Sequence, residues 1–237
     1  MKEKIGLYIG RFQPFHKGHR SVVVEALTKC DKLVIAIGSS QESGTERNPF
    51  NYEFRKMIIE RSMCGLEDRI VIIPLPDRVL YGDDSSWGKY VLDCVYATCG
   101  LRPTINFEGE EACRSTWFEG IDIKRVVIKR NKVPVSATQV RLALLKNETD
   151  VFYFLMPWET WRYFKRMRDI ILEVKNGRKF CIEFQKCTER NDEIYCAPVY
   201  QTIVYDTKDS YEAIKRFEEE YGMDNIISFK LYINRGE

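Results

Sequence analysis

The sequence predicts an α/β protein, a parallel sheet with helices packed on it, followed by a small α+β module near the C-terminus. Three observations lead there. Short apolar runs alternate with segments of helical periodicity over roughly the first two-thirds of the chain. Several runs end on glycine, at Gly10, Gly38 and Gly109, where a bare backbone turns sharply or lets a ligand approach. After Asn176-Gly177 the alternation gives way to strands in succession, the mark of a different architecture.

Taken in order, Ile5 to Ile9 is an apolar strand closed by Gly10, and a helix pattern follows from about Gly18 to Lys29. KLVIAIGSS (32–40) reads as a second buried strand, YEFRKMIIERSM (52–63) as a helix and RIVIIPLP (69–76) as a third strand. SWGKYVLDCVYATC (86–99) carries apolar residues at helical spacing, and TINFEG (104–109) and KRVVIKR (124–130) read as two further strands. Such alternation implies parallel pairing through right-handed crossovers. In sheets of this kind a ligand sits beyond the carboxyl ends of the strands. Pro157 suits a first helical turn and opens WETWRYFKRMRDIILEVK (158–175). Then RKFCIEFQKC and IYCAPVYQTIVYD read as strands, SYEAIKRFEEEYG as a helix and IISFKLYI as a closing strand. The expected division is a main domain over 1–174 and a ββαβ module over 175–237. The module carries no recognisable catalytic motif, and a role in assembly is expected of it.

Composition narrows the function. A net charge of +2 supplies no global field toward nucleic acid or an anionic membrane. No apolar stretch reaches the length of a membrane span. MKEKIGLYIG is charged and then only briefly apolar, which reads as a strand and not an export signal. The eight cysteines form no CxxC pair, so a zinc site is not expected. Their scatter suits reduced thiols in a cytoplasm, and Cys181, Cys187 and Cys196, on expected strands, read as core.

The chemistry concentrates in GRFQPFHKGH, Gly10 to His19, which holds both histidines of the chain. A strand end leads there into a helix start, whose free N–H groups and positive dipole end attract anions. Arg11 and Lys17 add charge, Gly18 admits a ligand to the backbone, and His16 and His19, three apart, can face one point. Two imidazoles without thiolate or carboxylate partners make a poor metal site and good donors to phosphate oxygens.

This stretch resembles the HxGH signature of the nucleotidyltransferase superfamily. VSATQVR (135–141) resembles its second signature, S-x-T-x-x-R at a helix start. IGSSQESGTERNPFNYEFRKMI (37–58), IPLPD (73–77) and Trp87 are similar to the corresponding parts of archaeal-type nicotinamide mononucleotide adenylyltransferases. The resemblance spans about residues 4–165 and leaves 176–237 uncovered. It implies a Rossmann-like doubly wound sheet of nucleotidyltransferase type. It implies a reaction in which the acceptor phosphate attacks the α-phosphorus of ATP in line, giving NAD and pyrophosphate with no covalent intermediate.

By the same resemblance His16, His19 and Arg141 are the catalytic groups. Gly10, Arg11, Phe12, Lys17, Gly18, Ser136 and Thr138 bind ATP, with Ser136 and Thr138 capping the late helix. Arg47, Asp77 and Trp87 belong to the acceptor, Trp87 either stacking on a pyridine ring or packing in the core. Mg²⁺ is held mainly by phosphates. The implied partners are ATP and nicotinamide mononucleotide, with no nucleic acid and no membrane; homo-oligomers are common among such relatives, and that point stays open here.

Two departures stand out. Where the family often has Gly-Asn after the fourth strand, this chain has EGEE, Glu108 to Glu111, whose carboxylates are expected to disfavour an anionic acceptor base. The segment DRVLYGDDSSW (77–87) is longer than usual. Alternatives are a different phosphorylated acceptor, CTP as donor, or a nucleotide sensor without turnover.

Overall fold

Among the described residues nine segments form strands, each paired with a neighbour. The computed structural model describes residues 3–77, 87–109, 116–129, 135–176, 178–190, 193–196, 201–207, 210–221 and 226–233, and the chain divides into two compact units, Met1–Ile171 and Leu172–Glu237.

In the first unit the elements are β1 (Ile5–Gly10), α1 (Lys17–Ala26), β2 (Lys32–Gly38), α2 (Tyr52–Ser62), β3 (Ile70–Leu75), α3 (Trp87–Cys99), β4 (Ile105–Gly109), β5 (Lys124–Ile128), α4 (Ala137–Lys146) and α5 (Thr149–Leu155). The sheet runs β3-β2-β1-β4-β5 with every pairing parallel. This is the doubly wound arrangement expected. The chain leaves β1 toward β2 and later returns on its other side at β4, so the topological switch point lies between β1 and β4.

Burial on both faces explains the near-continuous apolar runs. Leu7, Val34, Ala36, Ile73 and Leu75 pack with Val91 and Val95 of α3. Tyr8, Ile35, Ile37 and Phe107 turn the other way, into a larger core with α1, α2 and α4. Gly6 is required by that packing: a Cβ there would meet the Phe107 ring at 2.6 Å.

Three expectations change. The segment 158–175 is not one helix: a 3₁₀ turn (Trp158–Tyr163) precedes α6 (Phe164–Asn176). The Thr160 hydroxyl and Trp161 indole hold that turn by donating to the carbonyls of Pro157 and Met156 at 2.7 and 3.1 Å. α5 was not expected, because TDVFYFL is short and rich in aromatic and β-branched residues. In the second unit, IYCAPVYQTIVYD is two strands, not one. The order there is β6 (Arg178–Arg190), β7 (Glu193–Cys196), β8 (Gln201–Thr207), α7 (Ser210–Tyr221) and β9 (Ile226–Ile233). The sheet is antiparallel, β7-β6-β8 with β9 also on β6. Residues 197–200 lie outside the described ones. Phe217 of α7 packs on Phe184 of β6 with ring centres 4.8 Å apart. Cys181, Cys187 and Cys196 fall on β6 and β7, with side chains outside the described ones.

Candidate active site

The site forms where β1 and β2 end. Phe12 and Ser39, just past those ends, have φ of 51° and 47°, a left-handed conformation that non-glycine residues adopt only when held there. The holding group is Arg55 of α2, which sequence reasoning missed. Its side chain is 1% exposed. Its guanidinium donates to the carbonyls of Arg11 at 3.0 Å, Gly38 at 2.8 Å, Ser39 at 3.0 Å and Asn51 at 3.3 Å. Burial pushes its pKa down to about 10, against attraction from Asp77 and Tyr52. A buried arginine solvated by carbonyls thus fixes both strand ends.

Gln13 is a second residue that sequence reasoning missed. Buried in the loop, it donates to Phe50 O at 3.0 Å and accepts from Phe50 N–H at 2.9 Å. Its own carbonyl accepts from Arg141 at 2.8 Å. One residue therefore ties the RNPF loop and α4 to the histidine loop.

His16 caps α1 in an extended conformation, and the two histidine rings stack with centres 3.7 Å apart. The structure thus brings the two imidazoles together. Phe15 stacks on His19 at 5.5 Å and Phe12 meets it edge-on at 5.0 Å. The Nδ1 of His19 accepts the His16 backbone N–H at 3.3 Å. In the neutral ring that bond places the proton on Nε2.

Three arginines follow one another in the electrostatics. Arg141, half-buried one turn into α4, is depressed in pKa by burial and then by Arg11. Arg11 is depressed by burial and by Arg47, with Asp77 and Glu42 opposing. Arg47 thus repels Arg11 and Arg11 repels Arg141, a local excess of positive charge that suits an anion. Arg47 itself is exposed on a loop whose next three residues, Asn48 to Phe50, are buried anchors. Asp77 exchanges hydrogen bonds with Gln41, its N–H donating at 3.0 Å and its Oδ2 accepting at 3.3 Å. Ser136 caps α4, accepting from Gln139 N–H at 3.2 Å. Thr138 does not cap; it lies inside the helix and accepts from Arg141 at 3.3 Å.

Other expected ligands have other work. The Lys17 ammonium donates to the carbonyls of Tyr153 and Phe154 at 3.2 and 2.7 Å, closing the C-terminal end of α5 instead of facing the histidines. A Cβ on Gly18 would meet Val135 at 3.0 Å and the His16 ring at 3.1 Å, and one on Gly10 would meet the Phe12 ring at 2.8 Å. Both glycines make room for neighbouring side chains. Phe12 is buried among Tyr8, Phe15 and His19. Trp87 packs on Tyr90 and Trp117, ring centres 5.2 and 5.7 Å away.

Glu108 corrects the charge argument. Arg125 clasps it at 3.2 and 2.8 Å, so it adds no net charge against an anionic base; Glu110 and Glu111, like 78–86 of the long loop, lie outside the described residues. Among the described residues no cluster of three or more His, Cys, Asp or Glu could hold a metal, and no helix is long and apolar enough to cross a membrane.

Residues 7–175 match the family model described as cytidylyltransferase-like. A nicotinamide-nucleotide adenylyltransferase of Thermococcus onnurineus is 32% identical over 159 residues, 66% of this chain and 76% of that protein. One of Saccharolobus solfataricus is 46% identical over 89 residues, 36% of this chain and 50% of that protein. The chain thus spans about half the length of several relatives it matches. Among solved structures, a bifunctional NMN adenylyltransferase/ADP ribose pyrophosphatase from Francisella tularensis aligns with a TM-score of 0.61 at 24% identity, covering 73% of this chain and 54% of that one. The same kind of protein complexed with AMP and a manganese ion aligns with a TM-score of 0.58 at 20% identity, covering 92% and 74%. Those likenesses are of fold. The parallel sheet with its switch point, the stacked histidines, the capped second signature and a match over 7–175 agree: this chain belongs to the cytidylyltransferase-like family.

Proposed function

We propose that this chain is a nicotinamide-nucleotide adenylyltransferase, joining ATP to nicotinamide mononucleotide and releasing pyrophosphate. The observation that carries the reading is a local excess of positive charge next in sequence to the stacked histidines. Arg47 repels Arg11 and Arg11 repels Arg141, and Arg11 precedes in the same loop the His16–His19 pair, whose ring centres lie 3.7 Å apart. Such a site offers charge and direction and no covalent nucleophile, which is what in-line phosphoryl chemistry needs.

In this reading His16 and His19 donate to the triphosphate and to the charge that grows on the α-phosphate. Arg141 neutralises the departing pyrophosphate. Ser136 and the N–H groups at the start of α4 hold its oxygens. Arg11 and Arg47 orient phosphates through bidentate contacts, and Asp77 and Trp87 bound the acceptor. The donors are guanidiniums and N–H and O–H groups, so they fit phosphate oxygens and not a bare metal. A divalent ion, Mg²⁺ in this proposal, arrives on the triphosphate and offsets part of its charge. The relatives' names support the acceptor.

The test is pyrophosphate release from ATP and Mg²⁺ with nicotinamide mononucleotide, nicotinic acid mononucleotide and other phosphorylated acceptors in separate assays. Release with the nicotinamide compound, falling about a hundredfold or more in His19→Ala, is the expected result. Release only with another acceptor keeps the histidine site and discards this acceptor. Binding of ATP with no release from any acceptor leaves a nucleotide sensor.

A further inference from the structure

At the switch point the carboxyl ends of β1 and β4 bound a cavity of about 120 Å³, lined by Gly10, His19, Asn106, Gly109, Trp117 and Phe118. It has room for about four water molecules, hence for part of a planar base between aromatic walls. The unusual member is Asn106, 2% exposed, opposite Leu7 in the register of β4 on β1.

Its orientation is fixed by charge. Arg125 clasps the Glu108 carboxylate, and the Asn106 Nδ2 donates to Glu108 Oε1 at 2.7 Å. A carboxylate paired with a guanidinium only accepts, so the amide's nitrogen end must face it. The other end, Oδ1, is buried and has no hydrogen-bond partner among the described residues. Buried acceptors are nearly always satisfied, and each exception calls for a cause. Here the acceptor belongs to a residue lining a cavity that also contains His19.

We propose that Asn106 Oδ1 accepts a hydrogen bond from the exocyclic N–H₂ group of a nucleotide base, and so selects an amino-bearing base over its oxygen counterpart. This rests on the adenylyltransferase reading. Two substrates of that reaction carry such a group, the adenine amine and the nicotinamide carboxamide. The chemistry shared by the two is a planar ring with an N–H₂ donor. An oxygen in that place sets lone pair against lone pair.

The experiment compares kcat/KM for ATP against inosine triphosphate, and for nicotinamide mononucleotide against nicotinic acid mononucleotide. Wild type, Asn106→Leu and Asn106→Ser are measured. The serine variant keeps a donor for Glu108 while withdrawing Oδ1. Wild type should prefer the amino member of one pair by about ten- to a hundredfold. A folded variant should shrink that preference to within about threefold and leave the other pair's preference unchanged. The pair that collapses identifies the base. Turnover without preference in either pair, or preferences unchanged in whichever variant folds, overturns the subsite alone. No turnover with any acceptor removes the adenylyltransferase reading and the subsite with it.

Discussion

Replacing Arg55 with methionine tests whether one buried guanidinium holds the site together. Its three closest bonds reach the carbonyls of Arg11, Gly38 and Ser39 at 3.0, 2.8 and 3.0 Å. At about 2 kcal/mol for each bond from a charged donor, they are worth about 6 kcal/mol. Against them stands desolvation: a guanidinium that burial pushes down to about 10 has lost about 3 kcal/mol of preference for its charged form. The difference, about 3 kcal/mol, is the expected loss of stability in Arg55→Met, since the methionine fills similar space but leaves the carbonyls unpaired. The four tryptophans, Trp87, Trp117, Trp158 and Trp161, all lie in the first unit, so indole fluorescence follows that unit's unfolding. At about 2–4 °C per kcal/mol for a unit of this size, the fluorescence midpoint should fall by about 6–12 °C. Because Arg55 braces Phe12 and Ser39 in their left-handed conformations, kcat for pyrophosphate release should also fall, about ten- to a hundredfold. Arg55→Lys keeps a charge yet cannot bridge three carbonyls, and should recover only part of either loss. A methionine variant within about 1 kcal/mol of wild type, with unchanged kcat, would refute the reasoning.

Gln13→Ala removes both bonds to the Phe50 backbone and should cost about 1–3 kcal/mol by denaturant titration; it should also weaken acceptor use, since Arg47 rides on that loop. Tripolyphosphate, which has no base, should raise the melting temperature, with the gain shrinking as salt rises through a few hundred millimolar. A gain that ignores salt would argue against a cationic pocket. In timed alkylation read by mass spectrometry, exposed Cys64 should react well before Cys30. Burial raises the Cys30 thiol pKa, so its labelling should stay slow as pH climbs through the ordinary thiol range.

The inner strands β1 and β2 were legible because they are buried on both faces and so written as nearly unbroken apolar runs; the edge strand β5 is mostly exposed and showed only as a short Val-Val-Ile run. The closeness of the histidines was legible from their spacing of three at a helix start, and the Ser136 cap from a serine three residues ahead of Gln139. What stayed hidden depends on contacts remote in sequence. α5 holds its last carbonyls on Lys17, 136 residues away from Tyr153, and no local propensity shows that. Arg55 reads as one more arginine in YEFRKMI; only the fold shows that its face of α2 is turned inward. Asn106 is a single polar residue in a short strand, and its meaning comes from Glu108 and Arg125 beside it. Lys17 misled for the opposite reason: its position in the motif is that of a ligand, while its side chain finds a helix end first.

Net charge concealed the site in the same way. A formal +2 over the chain averages over a local excess in which Arg11 is repelled by Arg47 and lies near enough to depress Arg141. Arg55 lies close behind, its own pKa lowered in part by Arg11. Keeping guanidiniums so near one another is unfavourable until an anion arrives. The fold meets that with fixed dipoles, since Arg55 is solvated by strand-end carbonyls and Arg141 by Gln13 O. The carbonyls of Arg11 and Gln13 belong to the loop that carries Arg11 and the histidine pair. The bonds that make the repulsion bearable are thus the bonds that aim the site. A substitution that relaxes the crowding among these arginines should loosen the geometry as well, because the two are held by the same contacts.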